Sequence, residues 1–193
     1  MRTSKVMWFL DIAQRCAEQG TCLRRNFGAV IVDSAGTIIS TGYTGAPCGQ
    51  RDCLEIGTCW RNDHNIPSGS NYEKCRSVHA EMNAMIQAGK DARGGTMYLA
   101  GFEVATGALV GIYPCFLCAK MMKNSGLIKV VVREPSSPND ISGPASVVAG
   151  VGGNEQRGFR SSVRNYGAGV VYNNYAEYTP QEVYTLRERE ALT

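Results

Sequence analysis

Nowhere does the chain carry a long apolar run. Its two longest charge-free stretches, residues 34–50 and 104–119, are both shorter than the ~20 residues a membrane-spanning helix needs, and glycine and proline interrupt each, Gly107, Gly111 and Pro114 in the second. The opening MRTSKVMWFLDIAQRCAEQG holds no continuous apolar segment of the secretory kind and reads as an amphipathic helix, so the expected address is cytoplasmic, with no membrane partner. Lysine is sparse: Lys5, Lys74, Lys90, Lys120, Lys123 and Lys129 are scattered, and none follows position 129. With 20 Lys and Arg against 17 Asp and Glu, the net charge is only +3. This balance argues against a basic stripe for a nucleic-acid duplex and suits a site for a small phosphate. Internal repeats are absent too. A length of 193 residues supports one domain with a sizeable core, or one domain with an appendage.

Cysteine, by contrast, is plentiful: Cys16, Cys22, Cys48, Cys53, Cys59, Cys75, Cys115 and Cys118. In a reducing compartment such residues bind metal or react more often than they form disulfides. Cys16 lies on the apolar face of the first expected helix and reads as core packing.

Apolar spacing predicts a helix over residues 4–19, with Ser4 as N-cap and Gly20 as stop. GAVIVDSAGTIISTGY reads as a hairpin, with strands 28–32 and 37–43 around DSAG. Residues 44–76 are rich in Gly, Cys and Pro without periodicity, and a stretch of that kind inside a compact domain needs internal support. A helix over 77–88, a strand over 96–100, an inserted hairpin over 101–113, a helix from Pro114 to Gly126 and a strand over 127–132 follow. This order implies an α/β fold with a central sheet and helices on its faces. Past Pro135 the character changes to Ser, Gly, Pro and Asn, until Thr179-Pro180-Gln181-Glu182 forms a capping box for a short final helix.

Two motifs carry chemistry. His79-Ala80-Glu81 opens one expected helix and Pro114-Cys115-Phe116-Leu117-Cys118 opens another. Cys115 and Cys118, three apart on a first turn, bring their sulfurs to one face, where the helix dipole favours thiolate. With His79 they make three ligands, and a zinc site with three protein ligands keeps its fourth position for chemistry. Glu81 stands two residues from His79, about 200° away on an ideal helix, so spacing alone does not place it over the metal.

His-x-Glu followed by Pro-Cys-x-x-Cys resembles the zinc nucleobase deaminases. Arg24-Arg25-Asn26-Phe27-Gly28-Ala29-Val30-Ile31-Val32, Gly42-Tyr43-Thr44-Gly45-Ala46-Pro47 and His79-Ala80-Glu81-Met82-Asn83-Ala84 look like the deoxycytidylate (dCMP) deaminases, particularly the late-competence type, over about residues 5–133. The resemblance implies a cytidine-deaminase-like three-layer α/β/α fold with a central mixed sheet. It implies a deaminase domain over 1–134 with a Cys-rich insertion at 44–76, followed by an extension over 135–193. The implied activity is zinc-dependent hydrolysis of dCMP to dUMP and ammonia, supplying thymidylate synthesis.

Carried over residue by residue, His79, Cys115 and Cys118 hold the catalytic zinc, and Glu81 takes the proton of water and delivers it to N3 and then to the leaving amine. Arg24 and Arg25 are implied as phosphate contacts, since a guanidinium clamps phosphate bidentately; a solvated basic pair is the plainer reading. Asn26 and Asn83 are implied as sugar or base contacts, against ordinary turn and helix-surface residues. Cys22, Cys53, Cys59 and Cys75 are implied as ligands of a second, structural zinc, with Cys48 and His64 as competing donors and incidental free cysteines as the plainer reading. Members of the fold assemble as dimers or hexamers, and dCTP and dTTP are candidate effectors. Thr44, standing where Asn is common in the loop associated with that regulation, counts against the last point.

Three rivals remain at this level: a deaminase of another cytosine nucleotide or nucleoside, a deaminase of a tRNA base, and a zinc-stabilised interaction module without activity. The modest charge disfavours the tRNA reading. The module reading leaves Glu81 and the fourth metal position without purpose.

Overall fold

A computed structural model describes residues 3–111, 113–135, 170–172 and 175–191. Helix α1 (Lys5–Ala17) precedes strands β1 (Arg25–Val32) and β2 (Ile38–Tyr43). Short helices α2 (Cys53–Ile56) and α3 (Trp60–Asp63) and a 3-10 turn (Tyr72–Lys74) lie in the Cys-rich stretch, followed by α4 (Ala80–Ala88). Then come β3 (Thr96–Glu103), α5 (Phe116–Ser125), β4 (Lys129–Arg133), β5 (Val170–Tyr172), β6 (Tyr175–Tyr178) and α6 (Pro180–Ala191). The six strands form one mixed sheet in the order β2-β1-β3-β4-β6-β5. The β3–β4 pair is parallel and the others are antiparallel.

Alternation along the central strands builds the three expected layers. Val30, Val32, Tyr98, Ala100 and Val131 face α1, where Phe9, Leu10 and Ala13 are buried against them and Cys16 packs at the edge. Their neighbours Ala29, Ile31, Met97, Leu99, Val130 and Val132 face the opposite side, against Ala84, Met85, Ala119, Met122 and Val183. Each fully buried Val, Leu, Ile or Met of this set contributes about 1.5–3 kcal/mol relative to exposure.

Two glycines set how closely the helices approach. A Cβ on Gly28 would stand 2.0 Å from the carbonyl oxygen of Ala13 on α1. A Cβ on Gly42 would stand 2.3 Å from the carbonyl oxygen of Ala80 and 2.5 Å from the amide nitrogen of Ala84 on α4. Only hydrogen fits at either place, so β1 and β2 lie directly against helix backbone on opposite faces.

The boundaries differ from the sequence expectation in informative ways. Strand β3 runs on through Gly101–Glu103 because those residues continue pairing with Arg25, Asn26 and Phe27. Beyond it the chain turns at Gly107 (φ 70°) and bridges back, Phe102 to Leu109, as the inserted hairpin requires. Residues 77–79 stay out of α4, since Val78 pairs with Gly45 in an extended bridge. Pro114 is not the first helical residue: Cys115 caps α5 in extended conformation and its carbonyl accepts from the Ala119 amide. The Cys-rich stretch finds its support in arginines. Arg61 is buried and donates to Pro67 O at 2.6 Å, while Arg24 donates to Ile66 O at 3.1 Å.

The expected capping box at Thr179 is present, with Glu182 N donating to Thr179 Oγ1 at 3.2 Å and Thr179 N to Glu182 Oε2 at 2.6 Å. The helix it starts has 12 residues and packs on α5, and β6 joins β4 in the sheet. The Ser-, Gly- and Pro-rich residues 136–169 lie outside the described residues.

Candidate active site

Two helix starts meet on the α4–α5 face of the sheet. His79 is the N-cap of α4 (φ −70°, ψ 149°) and Cys115 the N-cap of α5 (φ −67°, ψ 167°). Cys118 is the third helical residue of α5, so the two sulfurs converge through the N-cap-to-N3 geometry of a capping box. His79 Nδ1 lies 3.5 Å from Cys115 Sγ and 3.5 Å from Cys118 Sγ. Zinc–sulfur bonds of ~2.3 Å and zinc–nitrogen bonds of ~2.0 Å at tetrahedral angles place such donors roughly 3.5 Å apart, so the set fits zinc in spacing as well as in chemistry.

The proton distribution agrees with a ligand cluster. Cys115 is held down to about 4, first by the hydrogen bond from the Cys118 thiol and, against the cost of burial, by His79. Cys118 is pushed well above the usual thiol range by sharing that proton and by burial. The lowered thiol stands at the start of a helix, where the dipole favours thiolate, the form a metal binds.

Glu81 is buried, and burial raises its carboxyl above the usual range. It lines the same cavity as His79 and Cys115 and reaches Cys118. The 200° separation expected on a helix does not hold, because His79 sits outside the helix as an extended cap. From the second helical position, Glu81 turns into the site alongside it.

That cavity encloses about 440 Å³, a volume suited to a small ligand. Arg24, Arg25, Arg61 and Arg187 lend it positive charge, and Phe27, Tyr72 and Tyr113 lend it aromatic surface. Arg25 stands 3.9 Å from Glu103, both about two-fifths exposed, a weak pair that leaves the arginine adaptable. Tyr72 meets the His79 ring edge-on at 4.6 Å and carries the Arg61 guanidinium on its own ring, also at 4.6 Å. The sequence gives no signal for Arg61, Tyr72 or Arg187, since each reaches the site through tertiary contacts.

Asn26 and Asn83 each make a side-chain hydrogen bond to neighbouring backbone. The Asn26 side-chain Oδ1 accepts from Cys22 N at 3.0 Å, and the Asn83 side-chain Nδ2 donates to Tyr43 O at 2.8 Å. Thr44 is buried, with Oγ1 accepting from Phe27 N at 3.1 Å. Cys22, Cys53, Cys59 and Cys75 are near enough to one another for their charges to raise the Cys22 and Cys53 thiols further, after burial. Cys22 Sγ also accepts from Arg24 N at 3.4 Å. Among the described residues, only His79, Cys115 and Cys118 form a metal-ligating group of three or more with all donor atoms within 4.8 Å.

Glu134, after β4, packs on Gly111 at the cavity rim: a Cβ on Gly111 would stand 2.6 Å from Glu134 Oε2. Burial alone pushes the Glu134 carboxyl up to about 7 from 4.5. A raised carboxylate weakens the fold as pH climbs, with no cost below about 4.5, a growing cost between there and 7, and the full cost above. Glu134→Gln is therefore expected to raise the melting temperature at pH 8, by about 1 kcal/mol of stability after allowing for partial exposure, and to give no gain at pH 4. An equal gain at both values would show that the charge is not the cause.

A layered α/β scaffold that presents an imidazole and two sulfurs beside a buried carboxylate defines a class, the metal-dependent hydrolytic deaminases. The family model for the cytidine and deoxycytidylate deaminase zinc-binding region matches residues 3–134. The chain belongs to that family. It is 33% identical over 135 residues to the deoxycytidylate deaminase of Mycobacterium phage D29, covering 67% of this chain and 94% of that one. It is 30% identical over 151 residues to the deoxycytidylate deaminase of Schizosaccharomyces pombe, covering 78% of this chain but only 43% of the yeast protein, so it spans less than half of that relative. The crystal structure of the cyanophage S-TIM5 dCMP deaminase in complex with dCMP and dUMP aligns with a TM-score of 0.47 and 24% identity over 67% of this chain and 81% of that one.

Proposed function

We propose that the protein hydrolyses dCMP to dUMP and ammonia. The observation that carries this reading is the convergence of His79 Nδ1 on both Cys115 Sγ and Cys118 Sγ at 3.5 Å, in a cavity shared with the buried Glu81. Zinc, when bound by these three residues, supplies a Lewis acid that makes water acidic enough to add to carbon at neutral pH. Glu81 receives the proton released as water adds at C4 of the pyrimidine and gives it to N3; it then takes the proton of the new C4 hydroxyl and gives it to the amine, which leaves as ammonia as the C4 carbonyl forms. Arg24 and Arg25 take the phosphate on the cationic wall. Asn26 and Asn83, which also fix the Cys22 turn and the end of β2, contact the sugar or the base in this reading.

Cys22, Cys53, Cys59 and Cys75 form the second, structural zinc site in this reading, the metal drawing the neighbouring sulfurs together. Elemental analysis is expected to find two zinc ions per chain and one after Cys53→Ser; one ion in both proteins would remove the second site. The reading includes residues 1–134 as the deaminase domain with the remainder as its extension, a homodimer or hexamer, and a cytoplasmic location. Among the described residues no helix is long and apolar enough to cross a membrane. Thr44, whose Oγ1 accepts from the Phe27 backbone amide, counts against effector binding by dCTP or dTTP.

Ammonia release from dCMP, dCTP, cytidine and a short tRNA hairpin tests the assignment. Preference for dCMP is expected. Faster release from one of the others would reassign the substrate, and no release from any would leave the interaction-module reading.

A further inference from the structure

The returning tail reaches the active site through one side chain. Helix α6 docks on α5 with Val183 fully buried and the Phe116 and Tyr184 rings 5.4 Å apart. One turn further along, Arg187 leaves this packing and extends to the cavity. Its Nε donates to Pro114 O at 2.8 Å, its Nη2 donates to Tyr113 O at 2.9 Å, and its guanidinium carbon lies 4.7 Å above the Tyr113 ring. Tyr178 on β6 meets the Tyr113 ring edge-on at 5.4 Å.

Tyr113 and Pro114 immediately precede Cys115, whose extended cap conformation aims one sulfur at His79 and begins the turn that aims the other. A planar fork that grips two successive carbonyls fixes both peptide planes leading into that cap, which a single rotating ammonium cannot do. We propose that Arg187 is a positioning residue for the metal ligands Cys115 and Cys118, so that retention of zinc depends on the fork this side chain sets on the Tyr113 and Pro114 carbonyls. This rests on the reading of His79, Cys115 and Cys118 as a zinc site, and it deepens that reading by naming what holds the sulfurs in register.

The test is zinc transfer from the full-length protein to a chromogenic chelator, the phase missing from Cys118→Ser being assigned to this site. Arg187→Ala is expected to weaken retention by about 10–100-fold, the usual effect of removing a group that orients metal ligands. Arg187→Lys, which keeps the charge but not the fork, is expected to recover only part of the loss. Tyr184→Ala loosens α6 without touching residues 113–114, and is expected to lower the melting temperature while zinc retention stays within about twofold of the parent. Parental retention in both Arg187 variants, or equal loss in Tyr184→Ala, would overturn the proposal. Should Arg187→Ala not fold, Arg187→Lys decides it. These readouts need no substrate, so a protein that deaminates dCMP but holds zinc normally without Arg187 sinks this inference alone. A protein that loses zinc as described but deaminates nothing sinks only the functional reading.

Discussion

Glu81→Gln is expected to keep its zinc and lose turnover of dCMP by about 10²–10⁴-fold or more, the range a positioned proton carrier supplies. The substitution is nearly isosteric and leaves His79, Cys115 and Cys118 in place, so the ion has no reason to leave. What disappears is the only feature of the residue that the reaction uses, an oxygen that can gain and surrender a proton beside C4 and N3. The glutamine amide can still donate a hydrogen bond, and substrate binding should survive, so the loss belongs in kcat rather than KM. Steady-state kinetics together with metal analysis of the same sample checks both halves. Near-normal kcat in a zinc-loaded variant would remove Glu81 from the proposed mechanism.

Gly42→Ala, which adds a single methyl group on β2 and changes no proposed ligand or proton carrier, is expected to cost nearly as much. The added carbon meets the Ala80 carbonyl at 2.3 Å and the Ala84 amide at 2.5 Å, both helix backbone and neither able to rotate away. Helix α4 must move outward by roughly 1 Å to restore ordinary contact. Ala80 lies between His79 and Glu81, so that movement carries a metal ligand and the proton carrier with it. A misplacement of this size lowers kcat/KM by about 100-fold, and overpacking of this kind destabilises by about 1–3 kcal/mol. Gly28→Ala provides the contrast. Its clash with Ala13 O at 2.0 Å is at least as severe, but it pushes α1 on the opposite face of the sheet. Gly28→Ala should lose comparable stability and retain its activity per folded molecule. Equal activity losses in the two variants would show that α4 displacement is not the cause.

The parts of the site that were legible in the sequence are those fixed by local rules. The Cys115–Cys118 spacing and the helix-opening position of His79 predict three convergent donors, and they converge. The hairpin β1–β2 and the capping box at Thr179 followed equally from short-range signals. Glu81 shows where such a rule misleads. The angular argument assumed that His79 belongs to α4, whereas the Gly45–Val78 bridge holds the preceding residues extended and turns His79 into a cap. Arg61, Tyr72 and Arg187 were not legible, because nothing local marks them. Arg61 and Tyr72 act across the folds of an aperiodic loop. Arg187 lies 73 residues beyond the carbonyl it grips, past a Gly- and Ser-rich stretch with no pattern to bridge the gap.

The position of β6 in the sheet has a consequence for biosynthesis. Strand β4 pairs with β3 on one side and with β6, residues 175–178, on the other. During translation the β4 edge, with its valines at 130–132, leaves the ribosome more than forty residues ahead of the strand that covers it. At roughly 5–20 residues per second the nascent chain spends several seconds with an apolar sheet edge open to pairing with other chains. Truncation before residue 175 would make that transient exposure permanent, and the truncated product should aggregate even though it contains every proposed catalytic-zinc ligand.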